Sequence, residues 1–247
     1  IEFLPVPVEQ AADQLMLAKW IIRNLGYQLG YNITYNKNEI DELVASSGDD
    51  YKITYGGRAV GTGSADGVKA WKVGQSASAY YVFQQVYDAQ GLPIQGQYVD
   101  RNADGVINND DRYFYKQAVP DVTMGFTSKL IYKNWDLGFS MRASLNNYNY
   151  NALECGNSNI SLSNLSQGDA WKNVMKMEVK KDWQYADGTG GLSDYFIQNA
   201  SFLKMDNISL GYNFGQVAKN LSLNASFMVQ NVFTITKYSG LDPEVSS

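Results

Sequence analysis

Leu25-Gly26-Tyr27-Gln28-Leu29-Gly30-Tyr31-Asn32-Ile33-Thr34-Tyr35 places an apolar side chain at every odd position and a small or polar one at every even position. Strict period-two alternation is the mark of a strand with two chemically different faces. The pattern recurs outward from this stretch. From Met124 to Tyr132 the apolar set is Met124, Phe126, Leu130 and Tyr132, and from Trp135 to Leu145 it is Trp135, Leu137, Phe139, Met141, Ala143 and Leu145. Leu221 to Ile235 repeats it through Leu223, Ala225, Phe227, Val229 and Phe233. Leu203 to Phe214 alternates with a phase slip near Asp206-Asn207, as a β-bulge or a strand leaving a bilayer would produce. A weaker signal from Asp13 to Ile22 is read as a further strand, so five or six are expected.

These runs are about 10 to 15 residues long, against roughly 5 to 6 for strands of soluble proteins and about 9 to 11 for a tilted strand crossing a bilayer. A soluble antiparallel sandwich alternates in the same way, but length favours the membrane. So do Tyr35, Tyr132, Trp135 and Tyr212, which sit at strand ends where interfacial aromatic girdles lie. Connection lengths point the same way. Lys133-Asn134 and Gly215 to Asn220 are short joins, whereas Asn36 to Asp121 and Asn146 to Ser201 are very long. Short turns at one end and long loops at the other are the asymmetry of outer-membrane barrels, with the long loops outside the cell. Tyr80 to Tyr87 then reads as β structure inside such a loop. Five or six strands cannot close a barrel that needs about eight, and an open edge in lipid leaves backbone groups unpaired. The fold class expected is all-β: a segment of a larger antiparallel transmembrane β-barrel with long extracellular loops.

Composition agrees. The 247 residues carry 18 Tyr and 22 Gly but 5 Pro, and the hydrophobic fraction of 45% coexists with a mean hydropathy of -0.32. Apolar residues are therefore interleaved rather than blocked, and no window approaches the roughly 18 apolar residues of a spanning helix. The formal net charge of -5 argues against a nucleic-acid partner. Ile1 to Pro5 has no secretory-signal character. With no histidine in the chain, the usual Ser-His and Cys-His nucleophile pairs and the usual zinc ligands are missing, so the chain does not read as an enzyme. The lone Cys155 excludes an internal disulfide and is read as an ordinary loop thiol.

One motif is sharp. Asp100, Asn102 and Asp104 supply oxygens at positions 1, 3 and 5 of a twelve-residue calcium-type loop, and Gly105 stands at the turn position 6. Val106 offers its carbonyl, Ile107 is the usual apolar anchor, Asn108 bridges through water, and Asp111 takes the final acidic place. Asp111 is shorter than the usual Glu, and neither Gly91 to Val99 nor Tyr113 to Pro120 reads as helical. The expectation is a structural Ca²⁺ loop within an extracellular loop spanning 88–120, not a sensor EF-hand. A metal-free Asn/Asp turn is the alternative.

Laid out in order, the pieces resemble the SusC/RagA family of TonB-dependent outer-membrane transporters. They are Tyr31 to Ile40, Val73-Gly74-Gln75, Asp100 to Arg112, Pro120-Asp121 with Gly125, Ser201 to Tyr212, and Gln230 to Val245. The resemblance covers most of Asn32 to Ser247. It implies that residues 1–247 are the C-terminal portion of the barrel domain, lacking the plug, the TonB-contacting part, most strands and the final strand of a 22-stranded barrel. It further implies uptake of glycans or peptides across the outer membrane of a Bacteroidota-like Gram-negative bacterium, with a SusD-like surface lipoprotein, the TonB complex and membrane lipid as partners. Asn32, Lys129, Arg142 and Ser226 would line the lumen, and loops such as Asn146 to Gly191, with Trp171 or Trp183, would meet substrate or lid. A secreted calcium-binding structural or adhesion β-domain is the competing reading.

Overall fold

The computed structural model describes residues 25–44, 50–58, 67–157 and 190–244. All five long alternating runs are strands, named β1 (Leu25–Tyr35), β8 (Val122–Tyr132), β9 (Trp135–Leu145), β12 (Phe202–Ala218) and β13 (Leu221–Thr236). The region read as an extra strand, 13–22, lies outside the described residues, as do Trp171 and Trp183. Among the described residues, eight short strands and a short helix lie between the long strands. The strands are β2 (Ile53–Arg58), β3 (Gly67–Trp71), β4 (Ala79–Val82), β5 (Gln85–Tyr87), β6 (Pro93–Tyr98), β7 (Tyr113–Gln117), β10 (Tyr148–Tyr150) and β11 (Ile197–Asn199), and the helix is α1 (Ala152–Asn157). Contacts divide the chain into two units, one of the long strands and one of their long connections.

In the first unit the strands form one sheet in the order β1-β8-β9-β12-β13. Neighbouring positions show antiparallel pairing. Gly26 lies against Ile131, Gly30 against Thr127 and Asn32 against Gly125; farther on, Asp136 lies against Gly211 and Gly138 against Ser209. A Cβ at Gly125 would collide with the Asn32 side chain, so glycine there lets a polar side chain lie flat across the neighbouring strand. The phase slip falls where the sequence placed it. Asp206 and Asn207 are consecutive, yet both reach one face of β9: Asp206 pairs with Arg142 at 3.0 Å and Asn207 donates to Ser140 at 2.8 Å. Two successive residues facing one way is the signature of an extra residue in the strand.

The turn Lys133-Asn134 is tight, as its length requires, with Lys133 at φ 54°. The other join is shorter than expected. Gly215 belongs to β12, leaving only Lys219-Asn220 between strands, with Asn220 at φ 66°. Positive φ at a central position suits the right-handed twist of a hairpin. The sheet's apolar side chains stay exposed: Tyr31 is 62% exposed, Phe227 69% and Ile235 61%. An exposed apolar face this long is foreign to a water-soluble monomer. No helix among the described residues is long and apolar enough to cross a membrane, which leaves strands untouched.

The second unit has a conventional core. A four-stranded sheet, β2-β3-β4-β7, is accompanied by the two-stranded pairs β5-β6 and β10-β11. Tyr80 to Tyr87 is β structure, as expected, and carries the core with it: Tyr80, Val82 and Phe83 pack with Val68, Tyr98, Tyr150, Leu192, Phe196 and Ile197. Cys155 joins this cluster at 1% exposure within α1, so it is a core thiol rather than the loop thiol expected. The Gly/Asn/Ser-rich context suggested a loop, but the cluster it joins draws on β4 and β11, far away in sequence.

Candidate functional site

The calcium-type loop lies between β6 and β7 in the second unit, and neither flank is helical, as expected. Its turn is made by Ala103 at φ 59° and Gly105 at φ 79°, and only the second is a residue suited to that region. The loop is organised by side-chain oxygens accepting backbone N–H groups. Asp100 Oδ2 accepts from Gly105 at 2.8 Å, Asn102 Oδ1 from Asp104 at 3.0 Å, and Asp104 Oδ1 from Val106 at 2.7 Å. Asn108 Oδ1 accepts from Asp110 at 2.7 Å and caps a 3-10 turn at Asn109–Asp111.

Asp111 closes the loop from the buried side. It is 0% exposed, and its two oxygens accept from Arg101 N at 2.8 Å and Asn108 N at 2.9 Å. The Asn108 N–H, followed by those of Arg101 and Asn102, holds its carboxyl below the ordinary value of 3.8 despite desolvation. Asp100 opens the same loop, its Oδ2 held by Gly105 N. Its Oδ1 is buried without a hydrogen-bond partner. A buried carboxylate oxygen without a hydrogen-bond partner is costly unless a positive charge meets it, so the donor set suits a hard cation.

The structure joins Asn102 to Asp104, the Asn102 amide donating to Asp104 Oδ2 at 2.9 Å, and ties Asp111 to the backbone of Arg101 and Asn108. Among the described residues no three of His, Cys, Asp and Glu are grouped so as to hold a metal ion, and Asp104 Oδ1 is occupied by Val106 N. Ile107 departs from its expected anchoring role. It is 43% exposed and Val106 59%, since no flanking helices exist to bury them. The next residue, Arg112, is inside: its guanidinium donates to Tyr81 O and Gly67 O and lies 4.4 Å from the Tyr81 ring centre.

Sequence reading missed the polar interior beside the loop. Asp194 Oδ2 accepts from Tyr113 Oη at 2.7 Å and Oδ1 from Gln85 N at 3.0 Å. Burial raises the Asp194 pKa, and burial plus Asp194 pushes Tyr87 up to about 12. Glu154, 1% exposed, accepts from Tyr195 Oη at 3.0 Å and Asn151 Nδ2 at 3.2 Å, with Gln198 Nε2 as a further donor. Gln198 and Asn149 also fasten the segment after β13: Ser239 Oγ donates to Gln198 Oε1 at 2.8 Å, and Asn149 Nδ2 to Pro243 O at 2.9 Å. Separations of this size leave no local signature. Of the residues expected to face a lumen, Asn32, Lys129 and Ser226 are exposed, and Arg142 is paired with Asp206.

No protein-family model matches the chain. TonB-dependent receptor SusC of Bacteroides thetaiotaomicron is 44% identical over 233 residues, covering 92% of this chain and 23% of the relative. The chain belongs to the SusC/RagA family of TonB-dependent receptors. TonB-dependent receptor P3 of Formosa agariphila is 26% identical over 89% of the chain. The RagAB peptide transporter superposes with a TM-score of 0.63 at 20% identity over 90% of the chain and 25% of its own, which shows the fold. The RagAB peptide importer in its open-open state gives 0.62. The chain spans about a quarter of the length of these SusC/RagA relatives. Its five long strands are therefore a segment of an antiparallel transmembrane β-barrel, and the exposed apolar face is the face such a barrel turns to lipid.

Proposed function

We propose that the chain forms part of the wall and outer loops of a transporter that takes up oligomeric nutrients, glycans or peptides, across the outer membrane. The observation that carries this is 44% identity to a SusC receptor along 92% of the chain, joined to a sheet with one exposed apolar face. Uptake is driven by TonB through parts of the protein beyond these residues, and the second unit faces outward, where a SusD-like lipoprotein covers it. RagAB, which shares the fold, is a peptide transporter. Deleting the gene in its own bacterium abolishes growth on one oligomeric carbon source and spares growth on the corresponding monomer. Unchanged growth on every oligomer tried would remove the uptake reading.

Within the outward unit, the loop at 100–111 holds a structural Ca²⁺. Asp100, Asp104 and Asp111 supply carboxylates, Asn102 its amide oxygen, Val106 its carbonyl, and Asn108 a water-mediated contact. The ion supplies positive charge to the Asp100, Asp104 and Asp111 carboxylates. Binding is weak, with Kd about 10⁻⁴ to 10⁻³ M, as extracellular calcium modules have. In calorimetric titration of the full-length protein, Asp100→Asn weakens Ca²⁺ at least ~10-fold, whereas Asp88→Asn, outside the loop, has no effect. Equal isotherms for both variants would reduce the loop to a metal-free Asn/Asp turn.

A further inference from the structure

The second unit contains a cleft of about 410 Å³, lined among others by Tyr35, Asn38, Tyr115, Gln117, Asn146 and Tyr148. Its walls are fixed by backbone hydrogen bonds between distant segments: Asn36 N to Asp121 O at 2.8 Å, Asp121 N to Leu145 O at 3.1 Å, and Gly74 N to Ile40 O at 2.9 Å. The side-chain amides are fixed too, each at one end. Asn38 Oδ1 accepts from Ser76 Oγ at 2.8 Å and Ala77 N at 2.9 Å. Gln117 Nε2 donates to Asp121 Oδ1 at 2.6 Å, and Asn146 Nδ2 donates to the other Asp121 oxygen. Among the described residues, Asn38 Nδ2, Gln117 Oε1 and Asn146 Oδ1 have no partner. One donor and two acceptors are thus held in place with their outer valences open.

Charge narrows the ligand. Lys37 and Glu39 stand 3.8 Å apart, and Asp121 is engaged by two amides. The Lys116 ammonium lies 5.2 Å from the Tyr148 ring centre and 5.8 Å from that of Tyr115. Two cations and two carboxylates leave the lining neutral. A strongly anionic ligand would meet Glu39 and Asp121, and a peptide would bring formal charges that nothing here singles out. Tyrosine rings offer apolar faces to ring C–H groups, while locked amides suit hydroxyls that both donate and accept. Because the amides are held before any ligand arrives, little ordering entropy remains to be lost on binding.

We infer that this cleft is a binding subsite for a neutral, hydroxyl-rich sugar unit. It rests on the uptake reading above and narrows it to neutral glycans. The test uses the full-length transporter with its lid lipoprotein, titrated calorimetrically with neutral gluco-, manno- and xylo-oligosaccharides, an oligogalacturonate and a peptide digest. Binding of a neutral oligosaccharide is expected, weakened about ten-fold by Tyr115→Ala and retained by Tyr115→Phe. Tyr115 also packs against the core, so Gln117→Ala provides a second variant, expected to weaken binding several-fold without shifting the thermal midpoint. Preference for the oligogalacturonate or the peptides, or equal neutral-sugar affinity in wild type, Tyr115→Ala and Gln117→Ala, would overturn the subsite while leaving uptake standing. Binding of none of the probes would count against both readings.

Discussion

Phe196→Ala is expected to destabilise the connection unit by about 3–5 kcal/mol, the usual cost of removing a buried aromatic ring. Phe196 is 0% exposed and touches the rings of Tyr150 and Tyr195, at 6.2 and 5.1 Å between centres. Its backbone carbonyl accepts from Asn151 N at 2.8 Å, an interaction the substitution leaves intact. The loss is therefore one of packing, with a cavity left in the middle of the cluster. Limited proteolysis of the full-length protein reads it: cleavage within the unit accelerates on the order of a hundred-fold or more, since it follows the population of the opened state. Cleavage at the wild-type rate would show that the ring is not part of a cooperative core.

Phe227→Arg attacks the other unit by different physics. Phe227 lies near the middle of β13 and is 69% exposed. In water such a change would be nearly neutral, whereas on the lipid face near the midplane of a bilayer it costs about 2–4 kcal/mol. Urea titration of the full-length barrel refolded into lipid vesicles measures the difference. Ser226→Arg is the internal control, because alternation points that neighbour away from lipid, and its effect should be below about 1 kcal/mol. Equal losses at the two positions would mean that the face assigned to lipid is wrong.

These two experiments probe the parts of the molecule that differed most in legibility. The lipid-facing strands could be read residue by residue, because a side chain's face in a strand depends only on whether its position is odd or even. Even the slip at Asp206-Asn207 was visible, since one extra residue reverses the alternation beyond it. The turn at 100–111 was legible for a related reason: its Asp and Asn residues lie within twelve consecutive positions and accept from backbone N–H groups of the same turn. The geometry added what spacing cannot hold, that Asp111 is buried on the backbone N–H groups of Arg101 and Asn108 and that Asp100 Oδ1 is buried without a partner. The exposure of Ile107 followed from missing helices, although the motif alone suggested an anchor.

The core of the second unit was not legible. Val68, Tyr80, Tyr150 and Phe196 come from strands and turns separated by long stretches, each too short to show a period. Cys155 illustrates the consequence, a thiol in a loop-like context that tertiary packing buries. Glu154 could not be recognised as an interior carboxylate, because its donors Tyr195 and Gln198 stand 41 and 44 residues away. The same holds for the cleft, whose lining runs from Tyr35 to Tyr148. By itself the sequence determined the all-β class, the membrane-length strands and their two faces, because each depends on neighbours within a dozen residues. Only the tertiary structure decided where the core lies, which polar groups are buried and satisfied, and that a neutral cleft exists. Those properties arise when distant segments share one low-dielectric interior, and local pattern carries no record of which segments will meet.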